Sequence, residues 1–384
     1  MKKAVVVGGS NGLGLAISVL LMDKGYFVEI CDRCPPQDNV IKSSNFNYNY
    51  CDLLDFDESL FSSFASDYDV EILMITAGVG RVADFRYFHV AEVKKILTIN
   101  TLAAVSIFNI FYQRIYSNLS FYSGVISSIS GWLSSPLAAV YSASKAAVSR
   151  FVESVNIELE VSGVSNRILD VSPSYFKGSR FYGLENDINS LLPLADSVVV
   201  HLLSNSSIFI PDYNKIFKKV ISSYHDNPHD FGVNSYNYKI HSGRVDNLPR
   251  VKIGYLSGTF DLFHVGHLNL LRRAKSCCDY LVVGVHESGK WKGKDTFIPF
   301  NERKAIVSSC KYVDKVIDSC REDCDVWEVV RYNYLFVGSD YKGSPRFQKY
   351  EKFFSDKNVR IVYFPYTTST SSTQIRNLIL NFER

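Results

Sequence analysis

The feature that most constrains the fold is an apolar strand that runs directly into a turn and an apolar helix, and it occurs twice. The first example is Ala4–Val7, followed by a glycine-rich turn and the helical pattern Leu15, Ile17, Leu20 and Leu21. The second example begins with Val251–Leu256 and follows the same pattern. Further strands and helices alternate after each opening. This alternation predicts the α/β class, with two domains built on parallel sheets covered by helices on both faces.

The predicted strands define two separate stretches of chain. In the first they are Ala4–Val7, Phe27–Cys31, Ile72–Ile75, Val125–Ser127 and Arg167–Val171. In the second they are Val251–Leu256, Tyr280–Val285, Tyr334–Val337 and Val359–Tyr363. The intervening Ser222–Asn247 is polar and is interpreted as loop. A chain of 384 residues suits two domains, and we expect a first domain over 1–230, a linker over 231–249 and a second domain over 250–384.

Composition excludes several classes of protein. Hydrophobic residues make up 46% and charged residues 21%, a globular balance that excludes disordered, collagen-like and coiled-coil chains. The net charge of +3 gives no overall basic field, so a nucleic-acid partner is not expected. From Val251 onward the balance is modestly basic, which suits a polyanionic small substrate.

No apolar run reaches the length of a membrane span; Thr98–Tyr112 comes closest, and Asn100 and Asn109 interrupt it. The apolar start of the chain meets glycines at once and is interpreted as a buried strand, not a signal peptide. The eight cysteines include one CxxC, Cys31 and Cys34, without a second pair at zinc spacing. We therefore expect free thiols, a cytoplasmic protein and no membrane partner.

The first turn carries residues suited to a nucleotide and to proton transfer. It reads Gly8-Gly9-Ser10-Asn11-Gly12-Leu13-Gly14. Glycines let a backbone approach a pyrophosphate at a helix N-terminus, although many tight turns carry them too. Tyr141 and Lys145 stand four residues apart, on one face of a helix, where an ammonium lowers the pKa of a phenol. Ser128 ends a predicted strand, and its hydroxyl could hold a carbonyl oxygen.

Together these residues resemble the short-chain dehydrogenase/reductase family over about residues 1–230. The resemblance implies an NAD(P)-binding Rossmann fold and a catalytic tetrad of Asn100, Ser128, Tyr141 and Lys145. By that resemblance Tyr141 is the general acid of carbonyl reduction, and Lys145 tunes it and holds the nicotinamide ribose. Ser128 orients the carbonyl, and Asn100 supports a water relay. Two motifs depart from the family pattern, at Ile75–Gly78 and at Pro173-Ser174.

The resemblance also implies the contacts of the cofactor, NAD(P)H. The expected cofactor-binding residues are Gly8, Ser10, Asn11, Gly12, Leu13, Gly14, Asp32, Arg33, Asp52, Leu53, Ala77, Gly78 and Pro173. Asp32 ends the second strand, where a carboxylate would bind a ribose 2′-OH and favour NAD. Arg33 beside it could instead meet a 2′-phosphate, so both cofactors stay open. Lys177 and Arg180 follow Pro173 and would suit a phosphorylated substrate, or form a solvated loop.

The second opening leads into Ser257–His267, in which His264 and His267 are three residues apart at a helix start. Their N–H groups and the helix N-terminus can hold phosphate oxygens. Zinc is the rival interpretation of a histidine pair. It is disfavoured because no Cys or carboxylate partner lies at a suitable spacing, and no protein-bound metal is expected.

This stretch, with the late Ser371-Ser372-Thr373-Gln374-Ile375-Arg376, resembles the cytidylyltransferase family of the HxGH nucleotidyltransferase superfamily over residues 251–380. The glycerol-3-phosphate type is the nearest. The resemblance implies that His264, His267, Lys292 and Lys294 act on the CTP phosphates and that Mg²⁺ accompanies CTP. It implies nucleotide or substrate contacts from Gly258, Thr259, Phe260, Arg303, Asp340, Ser371, Ser372 and Thr373. Tyr366 stands where the glycerol type carries an arginine, so the acceptor can differ.

A reductase fused to a cytidylyltransferase predicts consecutive steps. A keto or aldehyde sugar phosphate would become an alditol phosphate and then a CDP-alditol, of the CDP-ribitol or CDP-glycerol type, for a surface polysaccharide or teichoic-acid-like polymer. Alternatively, the reductase acts on an unrelated substrate, or one half is a degenerate binding module. The partners expected are small molecules and, because both families are usually oligomeric, further copies of this chain.

Overall fold

The computed structural model describes residues 1–36, 43–176, 187–288 and 296–365, together with Ile375. The chain divides into two compact units, Met1–Pro249 and Arg250–Arg384. Each unit is built on its own parallel sheet.

The first unit has a seven-stranded sheet in the order β3-β2-β1-β4-β5-β6-β7. All neighbouring strands are parallel, and β1 lies between β2 and β4. The strands are β1 (Lys3–Val7), β2 (Phe27–Asp32), β3 (Phe46–Tyr50), β4 (Val70–Ile75), β5 (Tyr122–Ile126), β6 (Ile168–Val171) and β7 (Ile208–Phe209). The strand order reverses direction between β1 and β4, which is where ligands bind in open sheets of this kind.

Helices connect these strands. They are α1 (Gly12–Asp23), α2 (Glu58–Ser66), α3 (Val90–Leu97), α4 (Ala103–Ile110), α5 (Tyr112–Ile115), α6 (Ala139–Val161), α7 (Ile188–Leu203), α8 (Lys218–Asp226) and α9 (Pro228–His241). A π-helical turn, Thr98–Leu102, joins α3 to α4, and another, Tyr213–Phe217, leads into α8.

The core of this unit has two layers, one on each face of the sheet. Because side chains alternate along a strand, Val5 and Val7 face the layer that contains residues of α4 and α6. Ala4 and Val6 face the layer that contains residues of α1 and α7. Burial on both faces explains why the central strands are continuous apolar runs.

The second unit has a five-stranded parallel sheet in the order β10-β9-β8-β11-β12. Its strands are β8 (Ile253–Gly258), β9 (Tyr280–Val285), β10 (Lys315–Asp318), β11 (Tyr334–Gly338) and β12 (Arg360–Phe364). Its helices are α10 (Val265–Ser276), α11 (Phe300–Ser308), α12 (Asp323–Val330) and α13 (Pro345–Phe354). Residues of α10 and α11 share one core layer, and residues of α12 and α13 share the other.

The predicted α/β class with two parallel sheets is confirmed. Every predicted strand is present, with its ends shifted by up to three residues. Three strands were not predicted, namely β3, β7 and β10. The interpretation of Ser222–Asn247 as loop was wrong, because α8 ends and α9 lies within it. Helix α9 also runs through the first half of the expected linker, 231–249.

Within the described residues, Val90–Ile110 is the one helical stretch long and apolar enough to cross a membrane. It comprises α3, the π-helical turn and α4. Ile99, Ala103, Ile107 and Phe108 pack in the core against the sheet. Of its most apolar 18-residue window 39% is buried, so one face of the stretch packs on the sheet.

Candidate active sites

The glycine turn between β1 and α1 rests on the end of β4. Gly8 has φ +84°, and a Cβ atom placed on it would lie 2.6 Å from the backbone nitrogen of Ala77. A Cβ atom on Gly14 would collide with the carbonyl oxygen of Gly8. The Thr76 hydroxyl donates to the carbonyl oxygens of Val7 and Gly8, at 2.9 and 3.0 Å. Thr76, which the sequence analysis gave no role, therefore holds the turn against the sheet.

The turn also contacts the end of β2. The backbone nitrogen of Ser10 donates to Asp32 Oδ2 at 3.1 Å, and the backbone nitrogen of Arg33 donates to Asp32 Oδ1 at 2.7 Å. Ser10 is buried, and its hydroxyl has no hydrogen-bond partner among the described residues. The Asp32 carboxylate is half-buried and the Arg33 side chain is exposed. A dinucleotide fits these residues, since a glycine cradle, an unpaired buried hydroxyl and a strand-end carboxylate are adjacent.

The other expected cofactor contacts lie on neighbouring segments. Asp52 accepts from the backbone nitrogen of Leu54 at 3.0 Å, and the Leu53 side chain is buried in the core. Leu13 is also a core residue, on α1. The side chains of Leu13 and Leu53 therefore pack in the core, and the Asp52 carboxylate binds within its own turn.

Asn100 lies in the π-helical turn between α3 and α4, and it is buried. Its amide accepts from the backbone nitrogen of Val79 and donates to the Val79 carbonyl, both at 2.8 Å, and it donates to Ser144 Oγ at 2.9 Å. Turns of π-helix are frequent at functional sites because they re-aim side chains. Here the turn fastens the loop after β4 to α6.

Lys145 is buried in α6, with only 3% of its surface exposed. Its ammonium donates to the carbonyl oxygen of Ile126, at the end of β5, at 2.7 Å. Burial lowers its pKa from 10.5 to about 8, and the carboxylate of Asp170 opposes that change. A Cβ atom on Gly78 would lie 3.3 Å from Lys145 Nζ and 3.6 Å from Asn100 Oδ1. Three separate segments therefore bring Gly78, Asn100 and Lys145 together.

Ser128 and Tyr141 are carried by elements that are fastened to each other. Ser128 lies two residues after the end of β5, and its hydroxyl accepts from the backbone nitrogen of Ser130 at 3.1 Å. Tyr141 is half-buried in the first turn of α6, and its ring centre lies 5.9 Å from Lys145 Nζ. The hydroxyl of Ser142 donates to the Ser130 carbonyl at 2.6 Å. The backbone nitrogen of Ile129 donates to the Pro173 carbonyl at 3.1 Å, which adds the segment after β6.

A buried polar network behind this site was missed by the sequence analysis. Asp170 in β6 accepts from the Ser127 and Ser172 hydroxyls, the latter at 3.1 Å, and Trp132 Nε1 donates to Ser172 Oγ at 3.0 Å. The available signal was an acidic residue inside the otherwise apolar strand Ile168–Val171. A buried carboxylate requires such partners, and its negative charge acts on Lys145.

The second unit places both predicted histidines at the start of α10. His264 Nδ1 accepts from the backbone nitrogen of Gly266 at 3.0 Å, and the backbone nitrogen of His264 donates to His267 Nδ1 at 3.3 Å. The ring centres are 4.1 Å apart. Because both Nδ1 atoms accept, this network assigns the proton of each neutral ring to Nε2.

Burial determines the charge of these histidines. Burial lowers the pKa of His264. The pKa of His267 is lowered to about 4, mainly by burial and to a lesser extent by the neighbouring His264. Both rings are therefore neutral near pH 7. Two neutral Nε2–H donors at a helix N-terminus are suited to phosphate oxygens.

The turn before α10 is strained and held by a buried carboxylate. Phe260 and Leu262 have φ +52° and +49°, a region that non-glycine residues seldom adopt. Asp261 accepts from the backbone nitrogens of Phe297 and Ile298, the latter at 3.0 Å. The ring of Phe260 lies in the core, and a Cβ atom on Gly258 would lie 2.9 Å from it. Asp261, which the sequence analysis gave no role, fixes this turn.

Arg303 in α11 is fully buried, and its hydrogen-bond acceptors among the described residues are backbone carbonyls. It donates to Ile298 at 2.9 Å, His286 at 2.8 Å, Glu287 at 2.7 Å and, by a short hydrogen bond, Thr259. Its guanidinium therefore positions the turn before α10 relative to the end of β9. These hydrogen bonds support the turn; a contact of Arg303 with nucleotide or substrate, which the resemblance implies, stays a prediction.

Asp340 is exposed in the helical turn after β11, at the carboxyl end of the sheet. The other predicted site residues, Lys177, Arg180, Lys292, Lys294, Ser371, Ser372 and Thr373, lie outside the described residues. In the part of the chain that is described, no cluster of three or more His, Cys, Asp or Glu side chains could hold a metal ion.

Comparison with known families confirms both resemblances predicted from the sequence. The cytidylyltransferase-like family model matches residues 255–378, and the short chain dehydrogenase family model matches residues 2–181. The chain belongs to the cytidylyltransferase-like family by its second unit, and its first unit is a domain of the short-chain dehydrogenase type. The protein is therefore an enzyme that joins an oxidoreductase domain to a cytidylyltransferase domain.

Individual relatives match one unit or the other. The glycerol-3-phosphate cytidylyltransferase of Bacillus subtilis is 36% identical over 126 residues, which are 32% of this chain and 92% of the relative. The ethanolamine-phosphate cytidylyltransferase of Arabidopsis thaliana is 34% identical over 149 residues, 35% of this chain and 34% of the relative. An uncharacterised oxidoreductase of Saccharomyces cerevisiae is 32% identical over 200 residues, 50% of this chain and 60% of the relative.

Among solved structures, a short-chain dehydrogenase from Streptomyces avermitilis aligns with a TM-score of 0.48 and 17% identity. The alignment covers 63% of this chain and 99% of that one.

Proposed function

We propose that this enzyme makes a CDP-alditol in two steps. The first unit would reduce a keto or aldehyde sugar phosphate to an alditol phosphate with NAD(P)H. The second would transfer CMP from CTP to that phosphate and release pyrophosphate. The observation that carries the proposal is the presence in one chain of two assembled sites, around Tyr141 and Lys145 and around His264 and His267.

The names of the relatives support the order of the steps. The relatives of the second unit are named as cytidylyltransferases of glycerol 3-phosphate and of ethanolamine phosphate. Both of these substrates are phosphate esters of small alcohols. Reduction of a ketose or aldose phosphate yields an ester of that kind. The product of the first site would therefore be an acceptor for the second, and covalent linkage raises its local concentration there.

In the reduction, the nicotinamide, when bound, would supply the hydride for the carbonyl carbon. The Tyr141 hydroxyl donates the proton that the carbonyl oxygen takes up, and the Lys145 ammonium stabilises the phenolate left behind. Ser128 donates a hydrogen bond to the same oxygen. Asn100 holds the loop after β4 and keeps Gly78 beside Lys145. Asp32 favours NAD through a ribose hydroxyl, and exposed Arg33 is the group that could accept NADP.

In the transfer, an oxygen of the alditol phosphate attacks the α-phosphorus of CTP as the bond to pyrophosphate breaks. Catalysis of such a step depends on positioning and on charge stabilisation. The Nε2–H groups of His264 and His267 would donate to the α-phosphate oxygens, with Lys292 and Lys294 on the remaining phosphates. Mg²⁺ would travel with the triphosphate. The acceptor is a polyol phosphate, ribitol or glycerol type, destined for a surface polymer, and we expect a cytoplasmic homo-oligomer.

The test is to incubate the purified chain with CTP, Mg²⁺ and NADH or NADPH, adding ribulose 5-phosphate or dihydroxyacetone phosphate separately. Mass spectrometry should then find a CDP-alditol from one of the two. Tyr141→Phe should abolish its formation from the ketose phosphate but not from preformed alditol phosphate. His267→Ala should leave carbonyl reduction intact and stop CMP transfer.

The second candidate is a cytidylyltransferase fused to a reductase of an unrelated substrate. It would be favoured if preformed alditol phosphates were cytidylylated while neither ketose phosphate was reduced. Loss of both activities in each single variant would instead contradict two independent sites.

A further inference from the structure

The end of the first unit lies beyond the residues that match the short-chain dehydrogenase model, which stop at 181. After β7 the chain forms α8 and α9 and continues to Leu248. This segment, 210–248, returns to the loops that follow the central strands. Phe217 packs edge-on against Trp132, with ring centres 5.7 Å apart. Trp132 lies in the loop between Ser128 and Tyr141.

The last part of the segment is tied to the loop after β4. The Arg81 side chain is 1% exposed and pairs with Glu92 at 2.8 Å. It also donates to the carbonyl oxygens of Asp246 and Leu248, at 2.9 and 2.6 Å. The backbone nitrogen of Asp246 donates to the Val82 carbonyl at 2.8 Å. These contacts place the segment beside the loop that starts at Gly78.

Two cations of the segment reach the other loops of the reductase site. Lys239 Nζ donates to Ser135 Oγ and to the Pro136 carbonyl, each at 2.7 Å, in the loop before Tyr141. The Arg244 guanidinium lies 4.2 Å from the ring centre of Tyr175, two residues after Pro173. The cations therefore border the carboxyl edge of the sheet, where open α/β sheets bind ligands.

The charges of Lys239 and Arg244 are not balanced locally. Neither side chain forms an ion pair with a carboxylate within the described ranges, and both are half-buried. Burial, followed by the nearby Arg244, lowers the pKa of Lys239 to about 8. Two neighbouring cations with only neutral partners repel each other, and an anion between them would remove that cost.

We propose that Lys239 and Arg244 form the subsite that holds the phosphate group of the reductase substrate. This inference rests on the proposed function of the first unit. A phosphate suits the pair because it presents several acceptor oxygens and up to two negative charges. Lys239 can donate to it, since its two neutral partners leave one ammonium hydrogen unused. The subsite would select phosphorylated over unphosphorylated carbonyl compounds.

A first test measures the anion directly and does not depend on reductase activity. The full-length protein is acetylated at pH 8 with and without inorganic phosphate, and mass spectrometry follows the modification of Lys239. An amine of pKa about 8 is roughly half neutral at this pH, so bound phosphate should slow its acetylation by about tenfold or more. Exposed Lys219 on α8 is the control and should not respond. In Arg244→Met the protection should weaken, and unprotected Lys239 in the wild type would overturn the inference.

A second test measures selectivity. Lys239→Met should raise KM for the ketose phosphate by about tenfold or more, with kcat within about twofold. It should leave kcat/KM for the unphosphorylated ketose unchanged, and Lys239→Arg should restore most of the selectivity. If Lys239 had a purely structural role, Lys239→Met would lower kcat/KM for both substrates equally, and that result would refute the subsite. If the wild type reduces no ketose phosphate at all, the proposed function fails, while the acetylation result still decides whether the anion subsite exists.

Discussion

Replacing Lys145 with methionine should stabilise the first unit while abolishing reduction. The buried ammonium has a pKa of about 8, compared with 10.5 in water. At pH 7 the charged side chain therefore costs the folded state about 3 kcal/mol. Methionine has similar length and no charge, but it leaves the Ile126 carbonyl without its donor, at a cost of about 1 kcal/mol. The expected net gain is about 2 kcal/mol.

The stability difference between Lys145→Met and the wild type should depend on pH. Above pH 8 the folded lysine loses its proton, whereas the unfolded lysine keeps it until about 10.5. The unfolded state then binds more protons, so wild-type stability rises with pH relative to Lys145→Met. The advantage of the variant should be constant below pH 7 and should disappear by about pH 10.

The assay is equilibrium unfolding in urea, followed by the fluorescence of Trp132 in a background where Trp291 and Trp327 are phenylalanine. Exposed Lys94→Met is the control and should change stability by less than about 0.5 kcal/mol. A variant less stable than the wild type at pH 7, or an advantage that does not shrink between pH 7 and 10, would show that the ammonium is better solvated than its burial implies. CMP transfer should survive in Lys145→Met.

Three further changes test other parts of the structure. Gly8→Ala should destabilise the first unit by about 2 kcal/mol more than Gly25→Ala, as urea unfolding of both variants would measure. Both glycines have positive φ, but the methyl group on residue 8 would collide with its neighbours, whereas a Cβ atom on Gly25 meets nothing within 4 Å. Arg303→Met removes four hydrogen bonds to carbonyls, so it should destabilise the second unit by about 4 kcal/mol and reduce CMP transfer but not carbonyl reduction, as calorimetry and the two activity assays would show. Asp170→Asn removes the charge that raises the pKa of Lys145, so the alkaline limb of the pH–rate profile for reduction should move to lower pH; an unmoved limb would exclude an electrostatic role for Asp170.

Helices α8 and α9 show where sequence patterns mislead. No residue of α8 is buried, and Gly232 is the one buried residue of α9. Helices that bury so little of their surface lack the wide apolar face that marks a core helix in a sequence. Strands β3 and β10 lie at sheet edges, where half-exposed and polar residues weaken the apolar run that marks a buried strand. Strand β7 has only two residues.

The buried polar residues were the other omission. Thr76, Asp261 and Asp170 each bind groups far away in the chain. Thr76 and Asp261 stand inside stretches that the sequence analysis identified, but the spacing of residues does not reveal which distant groups they bind. Arg303 was identified by resemblance, but its hydrogen bonds to four backbone carbonyls follow from the folded contacts. Lys239 and Arg81 likewise acquire their partners only when the end of the first unit returns to the sheet.

The sequence alone determined the local units of this protein. The apolar strands, the glycine turns, the Tyr141–Lys145 spacing and the His264–His267 spacing depend on residues close together in the chain, where periodicity and turn chemistry act. Tertiary structure decided which distant segments meet. It alone set the pKa of Lys145, the neutral state of His267 and the cations beside the reductase loops, because burial and electrostatic neighbours arise from packing between segments separated by tens of residues.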